Sequence, residues 1–139
     1  MLVVDDEPDA QLVLEGILRP LGLDVQMADD GHDALQQIKA RQPSLVLLDL
    51  LMPRMDGFEV LARLRGNPAT RHIPIVVVTA CDVNQQMMLR LPGVERVIRK
   101  GDYRVRDLQK LVAGLLGRDL SDAAASNSAP PTPPTVAGL

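Results

Sequence analysis

Between residues 2 and 116 the chain alternates short aliphatic runs with longer stretches in which apolar positions recur every three or four residues. Continuous apolar runs suit strands covered on both faces, and the three-to-four spacing gives a helix one apolar face. This alternation predicts a parallel sheet with helices on both sides. Leu2-Val3-Val4 is a minimal first strand leading directly into Asp5-Asp6. Ala10, Val13, Leu14, Ile17, Leu18 and Leu21 mark the buried face of a first helix, which Pro20-Leu21-Gly22 stops. A second strand over residues 25–28, a turn at Asp30-Gly31 and a second helix with Ala34, Leu35 and Ile38 in its stripe follow, ending before Pro43.

Residues 45–48, Leu-Val-Leu-Leu, read as a central strand that ends abruptly in Asp49. After the loop Met52-Pro53-Arg54-Met55-Asp56-Gly57, the positions Phe58, Val60, Leu61 and Leu64 predict a third helix broken by Gly66 and Pro68. A fourth strand over residues 75–78 ends in Thr79. Met87, Met88 and Leu91 mark a short fourth helix closed by Pro92-Gly93, and Val97-Ile98 forms a modest fifth strand before Lys100. Leu108, Leu111, Val112, Leu115 and Leu116 supply one face of a last helix. Five βα units result, a doubly wound α/β domain over residues 1–118. From Ser121 onward most residues are Ser, Ala, Pro or Thr, so residues 119–139 are expected to be a disordered tail or linker.

Composition narrows the function. With one Phe, one Tyr and no Trp among 139 residues, aliphatic side chains must fill the core. A formal net charge of -3 gives no broad positive field, so nucleic acid is not expected as a direct partner. The lone Cys81 cannot form an intramolecular disulfide, and the first residues lack the basic and apolar zones of a secretory signal. A reducing, cytoplasmic setting is expected. The longest apolar runs fall far short of the ~20 residues a membrane span needs.

The chemistry lies in where the polar residues fall. Asp5-Asp6, Asp49, Thr79 and Lys100 each follow a strand run at its carboxyl end. Open parallel sheets bind ligands outside those ends, where the strand order reverses, so residues distant in sequence can share one crevice. Three carboxylates brought together repel one another unless a cation neutralises them, and oxygen-only ligands suit magnesium. Beside such an ion Asp49 can attack phosphorus as a nucleophile and become an acyl phosphate. Thr79 offers a hydroxyl donor and Lys100 an ammonium charge to hold the phosphoryl group.

These residues, with the loop Met52-Pro53-Arg54-Met55-Asp56-Gly57 and Pro74 followed by Thr79-Ala80, occur in an order that resembles the receiver domain of bacterial two-component response regulators over residues 2 to about 117. The resemblance implies a flavodoxin-like (βα)5 fold with sheet order 2-1-3-4-5. It implies that Asp6, Asp49 and the backbone carbonyl of Leu51 ligate Mg2+ directly, with Asp5 acting through the ion's water shell. Asp49 is then the phosphoacceptor, charged by a histidine kinase or a histidine phosphotransfer protein. Thr79 and Lys100 bind the group and relay the change to a downstream partner through the face of the fourth helix, fifth strand and fifth helix; a homodimer is compatible with this.

The sequence departs from the family pattern in the relay. Val97 stands where the family carries Tyr or Phe three residues before the lysine, and Gly101 stands where a proline in a cis peptide is usual. A non-proline cis bond costs roughly 2.5–4 kcal/mol, so a trans bond with Gly101 turning the chain is expected. Leu51 and Cys81, two residues beyond Asp49 and Thr79, do not orient an attacking water, which predicts slow loss of the phosphoryl group. Family strands begin two or more residues before Leu2, so a short first strand is expected.

Other readings fit less of the pattern. Singly, Asp5 and Asp6 read as turn or cap residues, Thr79 as a backbone partner and Lys100 as a solvated charge; jointly they read as a site. Cys81 has no resolving cysteine or base and receives no role, and His32 and His72 have no metal-ligand spacing and are expected at the surface. A receiver-like scaffold that binds regardless of phosphorylation draws on the departures at Val97 and Gly101. A magnesium phosphohydrolase would carry a second Asp where this chain has Leu51. The expected role is therefore signalling, with at most self-catalysed phosphoryl transfer.

Overall fold

The computed structural model describes residues 1–117, so the Ser/Ala/Pro-rich tail and the domain boundary at 118 lie outside the described residues. Five strands, β1 (Leu2–Val4), β2 (Gln26–Ala28), β3 (Val46–Leu48), β4 (Ile75–Thr79) and β5 (Arg96–Arg99), form one sheet in the order β2-β1-β3-β4-β5. Every neighbouring pair is parallel. The chain runs outward from β1 to β2 and then crosses back to β3, so the strand order reverses between β1 and β3, as the 2-1-3-4-5 expectation requires.

Five helices cover the sheet: α1 (Pro8–Leu18), α2 (Gly31–Ala40), α3 (Gly57–Arg65), α4 (Gln85–Met88) and α5 (Val105–Leu115). Because strand side chains alternate, each strand feeds two cores. Leu2, Val4, Val46, Leu48, Ile75 and Val77 meet Ala34 and Ile38 of α2 and Phe58, Leu61 and Leu64 of α3 on one side. Val3, Leu47, Val76 and Val78 meet Leu14, Ile17 and Leu18 of α1 and Leu108 and Val112 of α5 on the other. The continuous apolar runs are thus explained residue by residue, since neighbours in one strand belong to different cores.

Two parts of the sequence reading change. Val13, counted on the buried face of the first helix, is exposed, as is Leu12. Leu14, Ile17, Leu18 and Leu21 alone line the buried face, and Val13 sits roughly a quarter-turn from its centre. The helix ends at Leu18, and a 3-10 turn over Arg19–Leu21 closes on Gly22 at φ 74°. The fourth helix is a single turn with no buried residue: Met87 packs partly against the core while Met88 is exposed.

Cations tie this short segment down. The Arg65 guanidinium at the end of α3 donates to the carbonyls of Arg71 (2.7 Å), Ile73 (2.9 Å), Gly93 (3.2 Å) and Pro92 (3.3 Å). Arg90 lies 4.1 Å from the centroid of the Phe58 ring, a cation–π contact between the end of the α4 segment and the start of α3. Among the described residues no peptide bond is cis, and Gly101, after β5, takes φ 76°, a left-handed turn that glycine enters without strain.

Candidate functional site

The strand ladder continues one residue past the apolar runs and fixes the residues that follow them. Asp5 N–H donates to the Ala28 carbonyl (3.1 Å), Asp49 N–H to the Val4 carbonyl (3.0 Å) and Lys100 N–H to the Thr79 carbonyl (2.8 Å). Their positions are therefore set by backbone bonds at the carboxyl edge of the sheet. The loop after β3 folds back tightly, with Gly57 N–H bonded to the Leu50 carbonyl at 3.0 Å. A Cβ on Gly57 would overlap the Asp49 carbonyl oxygen and come within 2.7 Å of Leu50 Cα, so glycine is required for that close approach. Asp56 caps α3 by accepting from Glu59 N–H at 2.9 Å.

At the reversal point of the sheet, carboxylate oxygens of Asp5, Asp6 and Asp49 all lie within 4.8 Å of one another. Asp5 and Asp49 are 1% and 3% exposed, while Asp6 is the more open of the three. Oxygen donors alone, this closely grouped and partly open to water, form a set suited to a hard divalent cation. Lys100 supplies a positive charge to the same cluster. Its ammonium donates to Asp5 Oδ2 at 2.7 Å, Asp49 Oδ2 at 3.1 Å and Glu7 Oε1 at 3.1 Å.

Electrostatics follow from this crowding. Burial pushes the Asp5 carboxyl up, the Asp49 charge adds to that, and the Lys100 and Glu7 N–H hydrogen bonds oppose it. Burial alone would pull the Lys100 ammonium down, but its three carboxylate partners outweigh burial and hold it well above its ordinary value. Lys100 therefore stays charged at neutral pH.

The structure brings together four of the residues singled out in the sequence: Asp5, Asp6, Asp49 and Lys100. Thr79 is fully buried at the end of β4, and its hydroxyl pairs with the Cys81 thiol at 3.5 Å rather than with a carboxylate. Leu51 begins the loop beyond Asp49 with an exposed side chain, and its N–H donates to Asp49 Oδ1 at 3.2 Å. Both histidines are exposed, as expected. Sequence reading missed Glu7. Its only signal is a third acidic residue directly after Asp5-Asp6, which reads equally well as favourable charge at a helix start. No helix among the described residues is long and apolar enough to cross a membrane.

Known proteins resemble this chain in sequence and fold. Residues 1–112 match the family model described as response regulator receiver domain. The alkaline phosphatase synthesis transcriptional regulatory protein PhoP of Bacillus subtilis is 34% identical over 129 residues, which cover 92% of this chain and 52% of that protein. The chain spans about half the length of the curated relatives it matches most fully. Among solved structures, the signal receiver domain of a signal transduction histidine kinase from Syntrophus aciditrophicus superposes with a TM-score of 0.74 at 30% identity, over 84% of this chain and 88% of that one. The receiver domain of a sensor histidine kinase from Pseudomonas aeruginosa, which holds a magnesium ion in its active site cleft, gives 0.74 at 26% identity, over 84% and 95%. The fold, the acidic crevice at its reversal point and the match over 112 residues agree: the chain belongs to the response regulator receiver domain family.

Proposed function

We propose that this receiver domain is a phosphorylation-operated signalling switch in which Asp49 is the phosphoacceptor. The observation that carries the reading is the placement of a nearly buried Asp49 carboxylate between Lys100 and the Asp5-Asp6 pair at the reversal point of the sheet. Residues 1–118 act as the receiver unit and 119–139 as a tail or linker; the family match over 1–112 supports the first of these.

Asp6 and Asp49 with the Leu51 carbonyl would hold Mg2+ directly, and Asp5 would act through its water shell. The all-oxygen donor set supports this, as does the magnesium in the Pseudomonas receiver domain. Bound there, magnesium screens the charge of an incoming phosphoryl group and orients its oxygens. An Asp49 carboxylate oxygen attacks phosphorus, the bond from phosphorus to the donor breaks, and the leaving group departs with the electron pair. Lys100 balances the charge of the transferred group while keeping a hydrogen bond within the site. The Thr79 hydroxyl turns from Cys81 to donate to a phosphoryl oxygen, and its movement draws on the segment that leads into α4. The donor is a histidine kinase or a histidine phosphotransfer protein. The altered α4-β5-α5 face is read by a downstream partner, with no direct contact to nucleic acid and no turnover of an external substrate beyond slow autodephosphorylation.

Purified protein incubated with magnesium and acetyl phosphate should gain the mass of one phosphoryl group, a gain absent from Asp49→Asn and from a magnesium-free control. Because neither Leu51 nor Cys81 orients a water, the gained mass should persist well beyond minutes after the donor is removed. A folded parent that gains no mass sinks the proposal, and rapid loss of the group sinks the assignment of Leu51 and Cys81.

A further inference from the structure

Lys100 has three carboxylate partners, and they are not equivalent. Asp5 and Asp49 belong to the acidic group suited to a cation, whereas Glu7 does not. A divalent cation held by Asp49 directly, with Asp5 engaged through its water shell, would draw on the charge of both. When Asp49 becomes an acyl phosphate, its carboxylate charge is gone. Glu7 is the one partner whose charge neither event consumes.

Its placement suits a tether. Glu7 stands at the start of α1, with its N–H held by Asp5 Oδ1 at 2.9 Å, so the backbone below its side chain is anchored to the site itself. From there its carboxylate reaches across 93 positions of sequence to the end of β5. An isolated exposed ion pair contributes little, but the Lys100 side chain is only 18% exposed while that of Glu7 is 64% exposed, so Glu7 is its partner on the solvent side. An ammonium has three donors, so it can keep Glu7 and still bond a phosphoryl oxygen.

Resting on the phosphoacceptor reading of this site, we infer that Glu7 is a positioning residue: it holds the Lys100 ammonium at the mouth of the crevice while the metal and then the phosphoryl group draw on the charge of its other two partners. The transfer itself needs no proton from either residue. With acetyl phosphate, the Asp49 Oδ–P bond forms, the P–O bond to acetate breaks, and acetate leaves as the anion.

Two readouts on Glu7→Gln test this, each in the full chain with saturating Mg2+. The first is independent of phosphorylation: the rate at which N-hydroxysuccinimide acetate labels Lys100, read by peptide mass against Lys39 and Lys110, the two other lysines in the sequence. Lys100 should label about two- to five-fold faster in Glu7→Gln than in the parent, the scale a partly exposed ion pair sets, with Lys39 and Lys110 unchanged. Without Mg2+ the difference should shrink, because Asp5 and Asp49 then hold the ammonium. The second is the maximal phosphorylation rate, which should fall by a similar factor with acetyl phosphate and with phosphoramidate, and recover in Glu7→Asp. Unchanged Lys100 labelling overturns the inference. So does a faster phosphorylation rate that is larger for the more anionic donor and vanishes at high salt, which would make Glu7 a repelling rim charge. If the parent takes up no phosphoryl group while Lys100 labelling still rises in the variant, the tether stands and the phosphoacceptor reading fails.

Discussion

Burial holds the Asp5 carboxyl above its ordinary value of 3.8, because water no longer solvates its charge. The sign for stability follows. The folded state binds this proton more tightly than the unfolded chain does, so the contribution is fully present below the unfolded value and is lost as pH rises through the raised folded value. In chelator-treated buffer, the melting temperature of the parent should therefore fall relative to Asp5→Asn as pH rises from about 4 toward neutrality. Magnesium should restore much of the difference at pH 7, since a cation that binds only the folded carboxylate cluster stabilises it by mass action. Parallel melting curves for parent and variant across that range would show that Asp5 carries no such cost. At this scale the sequence was most informative for residues that chemistry requires in a group. Glu7 escaped because one more acid at a helix start is ordinary, and only the reach of Lys100 across the crevice distinguishes it.

Among the elements, α4 is the least secured, a single turn with no buried residue and with Leu89 84% exposed just after it. Such a segment does not hold itself together by burial; it depends on Leu91, on the Arg90 contact to Phe58 and on Arg65. Arg65→Ala removes four bonds to carbonyls at once, but water can replace three of them at exposed acceptors, so with the part-buried Ile73 carbonyl left unpaired global stability should fall by about 1 kcal/mol. Denaturant unfolding measures that loss. Amide exchange should quicken over residues 84–95 while α1 and α2 keep their protection, and uniform quickening would mean that Arg65 supports the whole fold instead. The apolar spacing located α4 but not its length, because Met87, Met88 and Leu91 satisfy helical periodicity while the chain leaves the helix after Met88. The opposite error occurs in α1, where Val13 is apolar yet faces water, a placement that costs too little for a pattern to forbid.

Across the whole molecule, the proposed switch would have to carry a signal from Asp49 to the α4-β5-α5 face with Val97 in place of an aromatic ring. Val97, Cys81, Val83 and Met87 pack against the same core that holds β3 and α3, and Cys81 touches the Thr79 hydroxyl. A turn of Thr79 toward a phosphoryl group therefore disturbs one contiguous set of side chains that ends in α4. Phosphorylated protein should show altered amide exchange in residues 80–99 and little change over α1 and α2. Exchange changes confined to the loop after β3 would leave Thr79 out of the relay. The alternating strands and helices, the aliphatic core and the grouping of Asp5, Asp6, Asp49 and Lys100 were determined by the sequence alone, because burial on both faces of a parallel sheet and charge placed directly after its strands leave local marks. Which carboxylates Lys100 engages, the pairing of Thr79 with Cys81, the clamp by Arg65 and the brevity of α4 were decided only by the tertiary structure. The Lys100 and Arg65 contacts join groups far apart in the chain, and the Thr79–Cys81 pairing and the end of α4 depend on the path the backbone takes after β4, none of which apolar periodicity encodes.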